Sequence, residues 1–97
     1  MSSILLVDKE TLVRTAIKGL INSSSSGFRV VGEAGDYDTA LSLADQLQPS
    51  LIVVDLDLPG PTGLELLYEL RRRENRAQRV VLTRTCSEQL VGKAIAA

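Results

Sequence analysis

Two acids in this chain stand where apolar runs end. Asp8 follows Ile4-Leu5-Leu6-Val7, and Asp55 follows Leu51-Ile52-Val53-Val54. Each run is short and has no polar break, the pattern of a strand buried on both faces of a parallel sheet. In open α/β sheets ligands bind beyond the carboxyl ends of the strands, so an acid there is placed for chemistry. If the two strands are neighbours, ~5 Å apart, Asp8 and Asp55 converge on one acidic pocket. Like charges that close raise each other's pKa and call for a counter-charge. A hard divalent cation with oxygen ligands is the usual one, and Mg²⁺ with a phosphate group is its usual use. A lone acid at a strand end can equally cap a loop. The second strand with the same ending favours the pocket.

The elements that must position these acids follow in a regular order. Thr11 to Ile21 carries Leu12, Val13, Ala16, Ile17, Leu20 and Ile21 at spacings of three and four, one apolar helix face with Arg14 and Lys18 off the stripe. Asn22 to Gly27 is a polar loop, its serines a solvated connector. Phe28 to Ala34 reads as a second strand near an edge, because Arg29 and Glu33 interrupt it. Asp36 or Asp38 caps the next helix, with Ala40, Leu41, Leu43, Ala44 and Leu47 facing inward and Pro49 stopping it. After Asp55, Pro59, Gly60, Pro61 and Gly63 set a loop. A helix from about Leu64 to Glu74 turns Leu64, Leu66, Leu67 and Leu70 inward. Arg71, Arg72 and Arg73 read as a solvated helix end offsetting the macrodipole. Val80 to Thr83 is a fourth strand ending in a hydroxyl, and a last helix begins near Ser87. Strict β-α alternation with short links predicts a parallel sheet with helices on both faces and right-handed crossovers.

The 97 residues make one small domain, long enough for a single core. With 44% hydrophobic residues, 24% charged and a net charge of −1, the chain has no electrostatic footprint for nucleic acid or an anionic membrane. Its apolar runs are strand-sized, and the first strand starts with no signal peptide before it, so a cytoplasmic location is expected. The lone Cys86 cannot form an internal disulfide and reads as a bystander thiol in a reducing compartment. The chain has no histidine, which removes most zinc sites, His-dependent triads and the commonest general base.

An acid ending the first strand, Asp55 ending the third with Pro59 and Gly63 beyond it, and Thr83 ending the fourth together resemble the receiver domain of two-component response regulators. Gly32-Glu33-Ala34 and the run from Asp55 to Glu65 are most similar to the NarL/FixJ (LuxR-type) group, whose receivers usually precede a DNA-binding helix-turn-helix. The likeness covers essentially the whole chain. It implies a flavodoxin-like fold, with Asp55 as phosphoacceptor for a phosphoryl group from a sensor histidine kinase. It further implies Mg²⁺ held by Asp8, Asp55 and the backbone carbonyl of Asp57, and Thr83 as the switch hydroxyl. Phosphorylation would bias a bistable surface, a homodimer and a DNA-binding output.

Three positions depart from that family. Its first strand usually ends in two acids, the second a direct metal ligand, and here that position is Lys9. An ammonium cannot bind Mg²⁺ and itself supplies counter-charge, so metal binding is expected to be weakened or lost. Glu10 is a more distant substitute. Thr62 stands where the family often has Asp. Residues 1–97 also stop before a fifth strand, its usual lysine and a fifth helix, which suggests an incomplete receiver from a longer regulator, or a dimer covering the apolar fourth strand. Two versions of the signalling reading follow: phosphorylation at Asp55 despite Lys9, or a Lys9–Asp55 ion pair that locks an unphosphorylated dimerisation module. The competing class is an enzyme, since Asp55-Leu56-Asp57 resembles the Asp-x-Asp of haloacid-dehalogenase-like phosphatases. That family carries the motif on its first strand and needs further catalytic elements, so a non-enzymatic signalling module is preferred. No glycine-rich phosphate loop follows a strand, which argues against a nucleotide binder.

Overall fold

The computed structural model describes residues 2–24 and 27–82. Its elements are β1 (Ser2–Val7), α1 (Thr11–Ser23), β2 (Phe28–Ala34), α2 (Tyr37–Leu47), β3 (Leu51–Asp55), α3 (Gly63–Arg72) and β4 (Gln78–Leu82). Thr83, Cys86 and the helix expected from Ser87 lie outside the described residues.

The strands form a parallel sheet in the order β2-β1-β3-β4, with β2 at an edge as its interrupting charges suggested. The chain steps one way from β1 to β2 and the opposite way afterwards. With right-handed crossovers, that reversal puts α1 on one face and α2 with α3 on the other. Alternation along the strands divides the core accordingly. Leu5, Val7, Ile52 and Val54 pack with Ala40, Leu41 and Ala44 of α2 and Leu66, Leu67 and Leu70 of α3. Ile4, Leu6 and Val53 face the other way, against Ile17 and Ile21 of α1.

That second face corrects the expectation for α1. No residue of α1 is buried, and Leu12 and Leu20 are 80% and 72% exposed. A single helix about 10 Å wide spans only about two strands, so a six-residue stripe is wider than its contact. Val13, Ile17 and Ile21 turn toward the sheet, and Leu12, Ala16 and Leu20 do not.

The other helices differ at their ends. Asp36 is the cap of α2, its carboxylate accepting the Thr39 N–H at 2.8 Å. The helix closes on Gln48 in the left-handed region (φ 45°), immediately before Pro49. Leu47, expected inside, is 38% exposed. Thr62 caps α3 by accepting the Glu65 N–H at 3.3 Å, and the helix stops at Arg72, short of the expected Glu74. Arg71, Arg72 and Arg73 are exposed, as expected of a solvated helix end, and two of them also make ion pairs. Arg72 and Arg73 grip Glu69 at 2.6 and 2.9 Å, and Arg73 reaches Asp45 of α2 at 2.8 Å. Strand β4 starts at Gln78 rather than Val80.

Candidate functional site

Strand register decides whether the two acids meet. Val7 of β1 pairs with Val54 of β3, so the next residues, Asp8 and Asp55, leave adjacent strands side by side. They do so where the strand order reverses, the place in an open α/β sheet where loops diverge and leave a crevice. Asp8 is 4% exposed and Asp55 3%, the two buried charged residues among those described. Each carboxylate is oriented by its own turn. Oδ1 of Asp8 accepts the Glu10 N–H at 2.8 Å, and Oδ1 of Asp55 accepts the Asp57 N–H at 2.9 Å. These are Asx turns, the local bond by which a short acid starts a loop.

Lys9 joins the two loops. Its Nζ lies 2.7 Å from Oδ2 of Asp57. Asp57 is the residue whose own N–H orients Asp55, so Lys9 pairs one residue-link away from the buried carboxylate. Both partners reach solvent, and an exposed pair of this kind contributes about 0.2–1 kcal/mol. The contact is weak enough to open.

Two residues support the acids, and one of them, Arg14, was not singled out from the sequence. Arg14, set aside as lying off the apolar stripe, extends along the edge of α1, and its Nη1 donates to the Asp8 carbonyl. Its Nε donates to Oε1 of Glu33 at 3.2 Å and its Nη2 to Oγ1 of Thr11 at 3.1 Å, while Lys18 joins Glu33 at 3.6 Å. Gly35 leaves the guanidinium room, since a Cβ there would sit 3.3 Å from Nη1. The available signal was Glu33, an acid within a strand, which calls for a cation when partly buried. Gly63 is the second. A Cβ on it would collide with the Asp55 carbonyl oxygen and lie 2.6 Å from Cα of Leu56. Its N–H donates to the Leu56 carbonyl at 3.1 Å, so α3 begins directly against the backbone that carries Asp55. Leu56 and Leu58, 9% and 5% exposed, anchor the intervening loop in the core.

The oxygen donors expected for Mg²⁺ are the carboxylates of Asp8 and Asp55 and the carbonyl of Asp57. Mg²⁺ demands near-octahedral oxygen coordination. Here the position expected to supply another carboxylate carries an ammonium. Among the described residues no three His, Cys, Asp or Glu side chains gather as a cation site, so Glu10 does not make up the set. These donors do not fit the metal. Thr83 lies outside the described residues. A hollow of about 550 Å³ lies at the opposite end of the strands between Ser2, Phe28, Pro49 and Gln78, and contains none of the acids. No helix among the described residues is long and apolar enough to cross a membrane.

Residues 4–97 match the family model described as the response regulator receiver domain. The chain is 38% identical over 94 residues to the nitrate/nitrite response regulator protein NarL of Escherichia coli K12, covering 97% of this chain and 43% of that protein. It is 36% identical over 88 residues to the response regulator GacA of Pseudomonas aeruginosa, covering 91% of this chain and 40% of that one. It therefore spans about two fifths of the length of these relatives. Among solved structures, a LuxR-family two-component response regulator from Aurantimonas sp. SI85-9A1 superposes with a TM-score of 0.91 at 32% identity, covering 99% of this chain and 68% of that one. The receiver domain of a NarL homologue from Mycobacterium tuberculosis gives 0.91 at 23% identity, covering 98% and 76%, and shares the fold. With the flavodoxin-like sheet and the paired acids at its switch point, the match over nearly all its length means that this chain belongs to the response regulator receiver domain family.

Proposed function

We propose that residues 1–97 act as a signal-receiving module whose phosphoacceptor is Asp55. The observation that carries this is the register of β1 against β3, which brings two buried carboxylates to one rim. In the reaction an oxygen of the Asp55 carboxylate attacks the phosphorus of a phosphohistidine on a sensor histidine kinase. The phosphorus–nitrogen bond breaks and an acyl phosphate forms. The Asp57 N–H orients the carboxylate, Asp8 brings a second carboxylate to the rim, and Lys9 supplies a cation beside Asp57. Phosphoryl transfer needs little beyond positioning and charge neutralisation, which suits a non-catalytic module of this size.

The added phosphate brings charge of about −1.5 to −2 and three acceptor oxygens to the loops after β1 and β3. Thr83 is the hydroxyl proposed to answer that change. The output is proposed to be a DNA-binding domain elsewhere in a longer protein, acting in the cytoplasm and through a homodimer. A DNA-binding output is supported by the name of a further relative, the transcriptional regulatory protein YdfI of Bacillus subtilis, and by the fraction of the relatives' length that the chain covers. The Lys9–Asp57 pair also supports a second reading, in which the closed rim serves dimerisation without phosphorylation.

The test is incubation of the intact protein with acetyl phosphate or a phosphorylated kinase, read by intact mass. One phosphoryl group on wild type and none on Asp55→Asn is expected. Phosphate retained by Asp55→Asn would remove Asp55 from this role. A wild type that stays unmodified with every donor yet dimerises favours the second reading.

A further inference from the structure

Lys9 is an exposed lysine, and its ammonium spans two loops whose residues are 48 positions apart. Its partner Asp57 holds Asp55 through a backbone N–H, so the positive charge is coupled to the buried carboxylate by one intervening residue. The same rim lacks a three-acid cluster among the described residues. A divalent ion entering between Asp8 and Asp55 would meet the positive charge that Lys9 carries beside Asp57, where the family's second acid would have offered an oxygen.

We infer that Lys9 is a tethered cation that takes the place of a divalent metal, so that the Asp55 pocket works without Mg²⁺. This rests on the receiver reading for what the pocket accepts, and the disagreement between donor set and metal is what extends it. Charging by acetyl phosphate then proceeds on the chain's own residues. An Asp55 oxygen–phosphorus bond forms as the phosphorus–oxygen bond to acetate breaks. Acetate leaves with the electron pair, and no proton transfer or redox change is required. The ammonium is mobile enough to move from Asp57 toward the incoming phosphoryl oxygens, because an exposed ion pair holds it only weakly. A lysine ammonium has three rotatable donors on a flexible stem, which suits such a shift.

The experiment uses the intact protein, Lys9→Asp and Lys9→Met, with circular dichroism to establish folding, calorimetric titration with Mg²⁺ alone, and mass readout of acetyl-phosphate labelling with and without a chelator. Wild type should show no saturable Mg²⁺ binding up to about 10 mM, beyond the ~1 mM weak end of hard-cation protein sites. Lys9→Asp should bind at least ~100-fold more tightly, since even outer-shell changes alter metal affinity by 10–100-fold. Lys9→Met, which removes the charge without adding a ligand, should fall between them. Chelator should leave wild-type labelling unchanged and reduce that of Lys9→Asp.

Saturable Mg²⁺ binding by wild type, or labelling of wild type that stops on chelation, would overturn the inference while leaving Asp55 as acceptor. A Lys9→Asp protein that is folded and still binds no Mg²⁺ would overturn it too. If Lys9→Asp does not fold, Lys9→Met decides: Mg²⁺ binding no tighter than wild type counts against the role of Lys9. Absence of labelling in all three proteins defeats the phosphoacceptor reading, and the Mg²⁺ titrations still judge Lys9 separately.

Discussion

One substitution, glycine to alanine, should have opposite effects at two positions of this fold. At Gly63 a new Cβ would lie 2.6 Å from Cα of Leu56 and 2.9 Å from the Asp55 carbonyl carbon, and would collide with the Asp55 carbonyl oxygen. Ordinary contact begins at 3.4 Å, and all three neighbours are backbone rather than the flexible end of a side chain. The start of α3 must therefore retreat by most of an ångström. That movement would loosen Leu66, Leu67 and Leu70, each 1% exposed. Overpacking of a close-packed site costs about 1–3 kcal/mol. Replacing glycine within a helix returns about 0.5–1 kcal/mol, and less at a first helical residue such as Gly63. The net loss is about 2 kcal/mol. At Gly19, inside α1, the new Cβ would meet no described atom within 4 Å beyond its chain neighbours and its own helix's backbone, so only the helix-forming gain of about 0.5–1 kcal/mol remains. Urea unfolding followed by circular dichroism measures both. With a slope of about 1–1.5 kcal/mol per molar for a chain this small, the midpoint should fall by about 1–2 M in Gly63→Ala and rise by about 0.5 M in Gly19→Ala. Because Gly63 rests on the backbone of Asp55, acetyl-phosphate labelling of Gly63→Ala should also slow. A Gly63→Ala midpoint equal to or above wild type, at unchanged slope, would refute the account of how α3 seats on the site.

Two further expectations test the supporting shell. Arg14→Met should destabilise by about 1–3 kcal/mol, since it removes charge-assisted bonds to Glu33 and the Asp8 carbonyl and leaves Glu33 with Lys18 alone of those two cations. Much of that loss should disappear in the Arg14→Met/Glu33→Gln double variant, and a strictly additive double variant would show that the two side chains do not act together. Glu69 is held down to about 2, from an ordinary value of 4.5, chiefly by its hydrogen bond to Arg72 and then by that to Arg73. A depressed carboxyl stabilises the fold above its unfolded value and ceases to do so as pH falls through its folded one. Wild type should therefore lose stability more steeply between pH 4.5 and 2 than Glu69→Gln, with the curves running parallel above pH 5. Parallel curves through the acid range would remove Glu69 from the acid response.

The elements were legible in the chain because their signals are local. Uninterrupted runs such as Leu51 to Val54 mark doubly covered strands, and Pro49, Pro59 and Pro61 punctuate the helices and the loop after β3. Side-chain reach across loops was less legible. Arg14 read only as a charge off the apolar stripe, and Glu33 as a sign of an edge strand. Both readings were right about position and missed that the two residues bond to each other. The width of the α1 stripe misled in the other direction, because apolar spacing shows which face can be buried and carries no information about how many strands lie beneath it.

By itself the order of residues determined the β-α alternation, the parallel sheet and the presence of an acid at the carboxyl end of two separate strands. These follow from periodicity and from residue types that have few conformational alternatives. Tertiary structure decided that Val7 lies opposite Val54, that Lys9 reaches Asp57, that Arg14 holds the Asp8 carbonyl and that Gly63 touches the backbone of Asp55. Val7 meets Val54 and Lys9 meets Asp57 only through strand order, whereas Arg14 with Asp8 and Gly63 with Asp55 are close in sequence and their contacts are set by how a helix packs beside its own strand, so all four distances are properties of the packed sheet.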